Sequence, residues 1–324
     1  MSQPEITQII LVEDGSTDGS LEICRQLAVS HPSITLLRHP NGENKGAPAS
    51  RNLGLSQVVN PWIQFMDSDD ELLPGKIADQ LQVIKGHECL VIGEFTNVKN
   101  KPEYIRPRRD IWVGLLTTRL GNSVANLWNT HWVKAAGGWN ESLPNVQEYH
   151  LMLEILKKNP LVSFSHQNLT LVYPQPNSIS NSPKKKNIKL DNYFIFRAKV
   201  KKHLVETGSF NFLRWHYYTL VTGEMMRYHT PSVQVSFNKG YYWLVKKLKT
   251  LKPNSMHVFF RSGLGQRLFE LAYFYKDKFR GFPKIKSLFQ KMNGYPLDLD
   301  QPFTHNQRIV HKMVTDRNPL LVIT

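Results

Sequence analysis

Cysteine is scarce in this chain. The 324 residues include only Cys24 and Cys89, which lie far apart and do not have the spacing of metal ligands. We therefore do not expect a disulfide framework, and a reducing cytosol is the compartment that fits this composition.

Long apolar runs are also absent. No segment reaches the roughly 18 uninterrupted apolar residues that a membrane-spanning helix requires, and no charged-then-apolar leader opens the sequence. We therefore expect a cytoplasmic protein, either soluble or attached peripherally to the inner face of the cell membrane.

Acidic residues are few relative to basic ones, with 26 Asp and Glu against 41 Lys and Arg and a net charge of +15. Many of the basic residues follow residue 180. Such an excess favours phosphate-bearing partners, namely nucleic acid, an anionic membrane or nucleotide-linked substrates, and charge alone does not choose among them. The 41% of hydrophobic residues is enough for a packed core in one large domain or two ordinary ones.

The most informative stretch joins a short apolar run, Trp62–Met66, to the acidic sequence Asp67-Ser68-Asp69-Asp70. The run predicts a buried strand, which would deliver its carboxylates to the edge of a sheet where open α/β folds bind ligands. Carboxylates this close repel one another unless a cation or hydrogen-bond donors compensate them. Their oxygen atoms suit Mg²⁺ or Mn²⁺. The alternative is a solvated loop in which an Asp caps a helix.

The chain before this stretch has the pattern of a βαβ unit. An apolar run at Ile6–Val12 predicts a strand that ends at Glu13 and Asp14 in a Gly-rich turn, and a helix and a second strand at Ile34–Leu37 follow. The remaining predicted elements are a helix over Ala47–Val59 that carries Arg51, a helix over Leu72–Ile84, a strand at Leu90–Gly93, a loop over Lys99–Asp110, a helix with Glu148 in its first turn, and a linker at Pro174–Pro183.

The region after the linker alternates basic and aromatic residues at roughly helical spacing. Leu244, Leu248 and Leu251 form one apolar face beside Lys246 and Lys247, which predicts a basic amphipathic helix that could lie on a membrane. The alternative is an ordinary helical subdomain whose lysines form a solvated face.

Four motifs in fixed order resemble a family-2 glycosyltransferase with the GT-A fold. The first three, which resemble its nucleotide-sugar-binding half, are Val12-Glu13-Asp14-Gly15-Ser16-Thr17-Asp18, Asn44-Lys45-Gly46 with Ser50-Arg51-Asn52, and Phe65-Met66-Asp67-Ser68-Asp69-Asp70. The fourth, which resembles the acceptor half, is Gly137-Gly138-Trp139-Asn140-Glu141-Ser142-Leu143 followed by Gln147-Glu148-Tyr149.

The resemblance implies an α/β fold, with a mostly parallel GT-A-like sheet flanked by helices in residues 1–180. The residue pattern itself predicts a basic, aromatic-rich, mainly helical region in residues 187–324. It implies an inverting, metal-dependent transfer of a sugar from a nucleotide-sugar donor to a hydroxyl of a saccharide or lipid-linked acceptor, in polysaccharide or glycolipid assembly. Mn²⁺ or Mg²⁺ is the implied cofactor. Nucleic acid is not an expected partner, because no recognised binding motif accompanies the basic residues.

The resemblance also assigns roles to single residues. Asp14, with Glu13 beside it, matches the position that contacts the nucleobase, and Arg51 matches a basic residue near the nucleotide. Asp67 matches the position that faces the ribose, and Asp69 matches the metal ligand. Glu148 matches the catalytic base; the alternative is a helix N-terminal acid favoured by the dipole. For Arg51 the alternative is a helix-surface residue that pairs with a carboxylate.

Two departures from the family pattern bear on activity. Family members begin with an extra strand and helix, and here the chain starts at the second strand, so we expect a misassigned start codon, a truncated gene or another segment in that place. The sequence Tyr173-Pro174-Gln175-Pro176 stands where the family often has an Arg and a His. A catalytically degenerate binding protein on a transferase fold is therefore the alternative function.

Overall fold

The computed structural model describes residues 3–174, 186–250 and 319–323. Its backbone forms two compact units, Met1–His203 with Arg308–Thr324, and Leu204–Gln307. The sequence-based division into residues 1–180 and 187–324 remains a prediction.

The first unit is built on parallel strands with helices between them, as the sequence predicts. The described strands are β1 Gln8–Glu13, β2 Ile34–Arg38, β3 Trp62–Met66, β4 Glu71–Leu72, β5 Leu90–Ile92, β6 Phe95–Asn97, β7 Glu103–Ile105, β8 Leu127–Asn129, β9 Val162–Phe164, β10 Thr170–Val172 and β11 Pro319–Ile323. The described helices are α1 Ser20–Ser30, α2 Ala47–Ser56, α3 Lys76–Gln82, α4 Ile111–Thr117, α5 Thr130–Ala135, α6 Gln147–Lys158, α7 Lys186–Glu206, α8 Phe212–Met226 and α9 Lys239–Thr250.

The larger sheet has the order β2-β1-β11-β3-β8-β5-β9. Every neighbouring pair in it is parallel except the two pairs that β8 makes. The carboxyl ends of β1, β3, β5 and β9 therefore meet at one edge, where the acids that end β1 and follow β3 lie. A smaller sheet has the order β4-β10-β6-β7.

The place between β1 and β3 is filled by a segment from far along the chain. Strand β11 lies parallel to both neighbours, with Leu321 in register with Ile9 on one side and Gln64 on the other. The sequence left open what would occupy this place, and in the structure another segment, residues 319–323, does so.

The predicted loop over Lys99–Asp110 is wrong at its centre, because β7 lies there and pairs with β6. The predicted helix over Leu72–Ile84 begins later than expected, since Leu72 lies in β4 and α3 starts at Lys76. In both places a strand of two or three residues is stabilised by its partner strand, which a local pattern does not reveal.

The core beneath the candidate site is aromatic. Phe65 of β3 packs edge-on against Trp128, with ring centroids 5.8 Å apart, and against Trp139 at 5.1 Å. Trp128 is fully buried and its indole N–H donates to the Ser123 carbonyl. Trp128 therefore supports the floor of the site and has no surface to offer a substrate.

In the second unit, α8 and α9 pack through a small residue. A Cβ on Gly223 would lie 2.5 Å from the Tyr242 ring, so glycine gives α9 room to approach. Glu224 accepts a hydrogen bond from the Tyr242 hydroxyl at 2.8 Å and pairs with Lys246 at 2.5 Å. The predicted basic helix is thus present, and Leu251 of its predicted apolar face lies outside the described residues.

Among the residues that the structure describes, no helix combines the length and the apolar composition needed to cross a bilayer.

The position of β11 gives a direct test. We expect Leu321→Pro to lower the free energy of unfolding by about 3 kcal/mol or more, because proline removes an N–H from a strand paired on both sides. Leu321→Val, which keeps that N–H, should unfold near the wild-type denaturant concentration. Equal midpoints for Leu321→Pro and wild type in urea unfolding would rule out this strand order.

Candidate active site

Three carboxylates follow β3 at the ligand-binding edge of the sheet. The chain turns directly after the strand, and the backbone N–H of Asp70 donates to the Asp67 carbonyl at 3.1 Å. Asp69 is exposed at the tip of this turn, whereas Asp67 and Asp70 are partly buried. The prediction that a buried strand delivers these acids to the sheet edge is therefore confirmed.

The neighbouring acids of this turn affect the pKa of Asp70. The pKa of Asp70 is raised to about 7, chiefly by burial and also by the charges of Asp67 and Asp69, against the opposing effects of the Tyr173 N–H and Arg51. The Tyr173 N–H donates to Asp70 Oδ1 at 3.0 Å. The turn thus carries more negative charge than its protein surroundings compensate.

A divalent cation fits this turn chemically. Crowded carboxylate oxygens suit Mg²⁺ or Mn²⁺, and Asp69 presents its carboxylate to solvent. Within the described ranges no group of three or more His, Cys, Asp or Glu residues is arranged to hold a metal ion. A cation here would therefore take one or two carboxylates and complete its shell with water and phosphate oxygens, as Mg²⁺ usually does.

Arg51 lies beneath the turn and pairs with its first acid. Helix α2 carries the side chain, which is 7% exposed, and Arg51 Nη2 donates to Asp67 Oδ1. The guanidinium carbon also lies 4.6 Å from the centroid of the Trp139 ring. Arg51 is thus a buried residue held by a carboxylate and an aromatic face, rather than a helix-surface residue.

Glu148 enters from the other half of the domain, in the first turn of α6. Burial raises the pKa of Glu148 and the charge of Asp67 raises it further, while its backbone hydrogen bond and the Arg51 cation lower it. The residue keeps partial access to solvent. Arg51 and Asp67 are therefore close enough to act on Glu148, which places a carboxyl with a raised pKa beside the acidic turn.

The start of α6 is tightly fixed. Val146, directly before the helix, is buried and has a φ of 60°, a conformation that costs a β-branched residue about 1–3 kcal/mol. One residue after Glu148, the Tyr149 hydroxyl donates to the carbonyls of Thr118 and Gly121 at 2.7 and 2.9 Å. The surrounding packing thus determines where Glu148 lies.

Glu13 and Asp14 end β1 and already have protein partners. Glu13 accepts from Arg38 Nε at 2.7 Å; burial raises its pKa, but the Ser16 N–H and Arg38 outweigh this and lower it. Asp14 accepts from the backbone N–H groups of Lys45 and Gly46, both at 2.8 Å. These acids fasten the loops around the edge of the sheet.

The structure groups most of the predicted site residues. Arg51, Asp67 and Glu148 interact with one another, and Asp69 lies in the same turn as Asp67. Glu13 and Asp14 lie two strands away, across β11, which corresponds to about 10 Å at the usual strand spacing.

Sequence reasoning gave no individual role to Asp70, Trp139 or Tyr193. Asp70 and Trp139 stand inside the quoted motifs, so the motifs themselves were the available signal. Tyr193 lies on α7, after the predicted linker, and its pKa is raised by burial and by the charge of Glu148. Only the fold brings Tyr193 to the site.

The raised pKa of Asp70 predicts a pH effect on stability. The folded state favours the protonated carboxyl, so this contribution is complete below the unfolded pKa near 4 and is lost as pH rises through about 7. Between pH 5.5 and 8.5, in EDTA, we expect the free energy of unfolding of wild type to fall by about 1 kcal/mol more than that of Asp70→Asn, after allowance for solvent screening. Parallel pH curves from urea unfolding of the two proteins would contradict this.

Comparisons with known proteins agree with the geometry. The family model described as glycosyl transferase family 2 matches residues 2–142. An uncharacterized glycosyltransferase of Haemophilus influenzae is 28% identical over 200 residues, which cover 60% of this chain and 78% of that protein. The hyaluronan synthase of Pasteurella multocida is 25% identical over 203 residues, 58% of this chain, and the match spans only 19% of the synthase.

Among solved structures, S. aureus TarS 1-349 in complex with UDP-GlcNAc superposes with a TM-score of 0.54 at 14% identity, over 79% of this chain and 76% of that one. This likeness shows the α/β GT-A fold. Residues 2–142 are therefore similar to glycosyl transferase family 2, in agreement with the order of the motifs in that stretch.

Proposed function

We propose that the chain transfers a sugar from a nucleotide-sugar donor to an acceptor hydroxyl, with inversion at the anomeric carbon and with the help of a divalent cation. The observation that best supports this is the convergence of Glu148, from the acceptor half, with Arg51 and Asp67, from the donor half. In this proposal a proton acceptor would lie beside a phosphate-binding edge.

The donor would lie along the carboxyl edge of the sheet. Asp69 would ligate Mn²⁺ or Mg²⁺, and Asp67, oriented by Arg51, would face the ribose. When bound, the cation neutralises the charge that develops on the departing diphosphate. Asp14, with Glu13 beside it, would shape the nucleobase end by fixing the loop around Lys45 and Gly46.

Glu148 would act as the general base. The pKa of the Glu148 carboxyl is raised toward neutral pH. A general base transfers protons most effectively when its pKa lies near the working pH. Glu148 would take the proton of the acceptor hydroxyl as the hydroxyl oxygen bonds to the anomeric carbon. The bond from that carbon to the diphosphate oxygen breaks in the same displacement, so no covalent enzyme intermediate is needed.

The acceptor would be a saccharide or a lipid-linked saccharide in polysaccharide or glycolipid assembly. The partial relationship to a protein named hyaluronan synthase favours a polysaccharide product. A catalytically degenerate binding protein is the second candidate, because Glu13 and Asp14 already have protein donors at their oxygens.

We also propose that the protein is cytoplasmic and attaches peripherally to the inner face of the cell membrane through α9. Lys239, Trp243 and Lys247 recur every four residues on this helix and are exposed, with Trp243 at 57%. Tyr242 and Val245 are buried on the opposite side. A tryptophan between two lysines suits the boundary between anionic headgroups and acyl chains.

Two carboxylate substitutions separate binding from transfer. We expect Asp69→Ala to abolish the Mn²⁺-dependent part of donor binding, measured by titration calorimetry with a panel of UDP- and GDP-sugars. Glu148→Gln should keep donor binding and lose about 10²- to 10⁴-fold in transfer, because only the base is removed. Glu154→Gln, a partly exposed residue on the same helix, is the matched control.

Each outcome of this experiment has a definite meaning. Absence of binding by every donor in the presence of Mn²⁺ would overturn the transferase proposal. Donor binding by wild type without any turnover would favour the degenerate binding protein.

The membrane proposal is tested by sedimentation with vesicles that contain anionic lipid. The double change Lys239→Glu and Lys247→Glu should weaken binding more than about tenfold at low salt, since each lysine near such a surface contributes about 1 kcal/mol. Lys101→Glu makes the same kind of charge change at an exposed position of the first unit and should have a smaller effect. Equal sedimentation of the double variant and wild type would refute attachment through α9.

A further inference from the structure

The side chain of Asn52 binds the backbone of Trp139, which lies 87 residues later in the chain. Asn52 Nδ2 donates to the Trp139 carbonyl at 2.8 Å, and the Trp139 N–H donates to Asn52 Oδ1 at 2.8 Å. The same Nδ2 also donates to Glu141 Oε1 at 2.8 Å. One amide of α2 thus satisfies both backbone groups of a single residue in the acceptor half.

The turn before Trp139 is shaped for this contact. Gly137 and Gly138 both have positive φ, at 88° and 73°. A Cβ on Gly138 would lie only 2.6 Å from Asn52 Oδ1. Glycine at this position therefore allows the backbone to approach α2 closely enough for the pair of hydrogen bonds.

The Trp139 ring links the sheet to Arg51. Its centroid lies 5.1 Å from that of Phe65 and 5.8 Å from that of Trp128, and the residue is only 2% exposed. Arg51 lies over the ring at 4.6 Å. The indole thus forms a rigid surface on which the guanidinium rests.

Arg51 and Asn52 are consecutive residues of α2, so the backbone contact and the ring contact reinforce each other. Asn52 fixes the backbone of Trp139, and the indole then fixes the position of Arg51. Arg51 in turn pairs with Asp67. Since Glu148 also responds to the charge of Arg51, this chain of contacts joins the donor and acceptor halves.

We infer that Asn52 and Trp139 are positioning residues that form a clamp, and that this clamp holds the Arg51 guanidinium between Asp67 and Glu148. The geometry of the clamp is independent of the reaction, whereas its effect on turnover rests on the proposed transferase function. Misplacing Arg51 would misalign Asp67 at the donor and remove a compensating cation from the base.

Titration of Glu148 by carboxyl NMR, assigned with Glu148→Gln, tests the clamp without any turnover. The titratable and charged groups that act on Glu148 are Arg51 and Asp67, together with Tyr149 and Tyr193, whose own pKa values Glu148 raises. In Asn52→Ala we expect the pKa of Glu148 to rise, because Arg51 is no longer held where it lowers that value.

The matched control is Asn140→Ala in the same loop. The Asn140 side chain accepts from the Ser142 N–H at 3.0 Å and hydroxyl at 2.7 Å. Its removal therefore loses two hydrogen bonds of the loop and leaves the clamp intact, so the pKa of Glu148 should stay at its wild-type value. Trp139→Phe, which keeps a buried aromatic ring, provides a second variant if Asn52→Ala does not fold, and should shift the pKa in the same direction by a smaller amount.

Kinetics give the second readout. With a donor identified by the binding screen, Asn52→Ala should lower kcat at least about tenfold and change the KM for donor less, because positioning acts on the reaction more than on binding. An unchanged Glu148 pKa in folded Asn52→Ala and Trp139→Phe would overturn the clamp. The expected pKa shifts in a protein whose wild type turns over no donor would uphold the clamp and refute the proposed function.

Discussion

The site depends on one buried cation among several acids. Arg51 pairs with Asp67 and acts on Glu148 and Asp70, whose carboxyl groups otherwise lie in a locally negative region. Two like charges 4 Å apart repel by about 4 kcal/mol at the effective dielectric of a protein surface. The Arg51 guanidinium reduces the repulsion among these carboxylates. The negative charge that remains makes the exposed end of the turn suited to a divalent cation.

The location of Arg51 also explains why the aromatic residues are buried. Trp139 supports the guanidinium on one side and packs on Phe65 and Trp128 on the other. Phe65 lies in β3, and Asp67 follows the end of that strand two residues later. The same strand therefore supports both the aromatic core and the site. Trp139 and Trp128 are therefore buried supports beneath Arg51 and Asp67.

Local patterns in the sequence predicted much of this arrangement. The apolar runs of β1 and β3 ended in acids, and the helix that begins at Gln147 carried Glu148 in its first turn, as expected. Strand β7 was missed because three residues, Glu103–Ile105, become a strand only beside β6. The raised pKa of Asp70 was equally out of reach, since it arises chiefly from burial in the folded chain, and the Tyr173 N–H that opposes it lies 103 positions away.

The strand order has a consequence for how the protein reaches its folded state. Leu320 pairs with Gln8, so the centre of the large sheet joins residues separated by more than 300 positions. During synthesis β1 and β3 leave the ribosome before residues 319–323 are made. Until then, the backbone N–H and C=O groups on their facing edges have no partner strand. Long-range pairing of this kind slows folding. Unpaired strand edges can also form hydrogen bonds with strands of other chains. Until residues 319–323 pair with them, the facing edges of β1 and β3 therefore carry unpaired backbone groups.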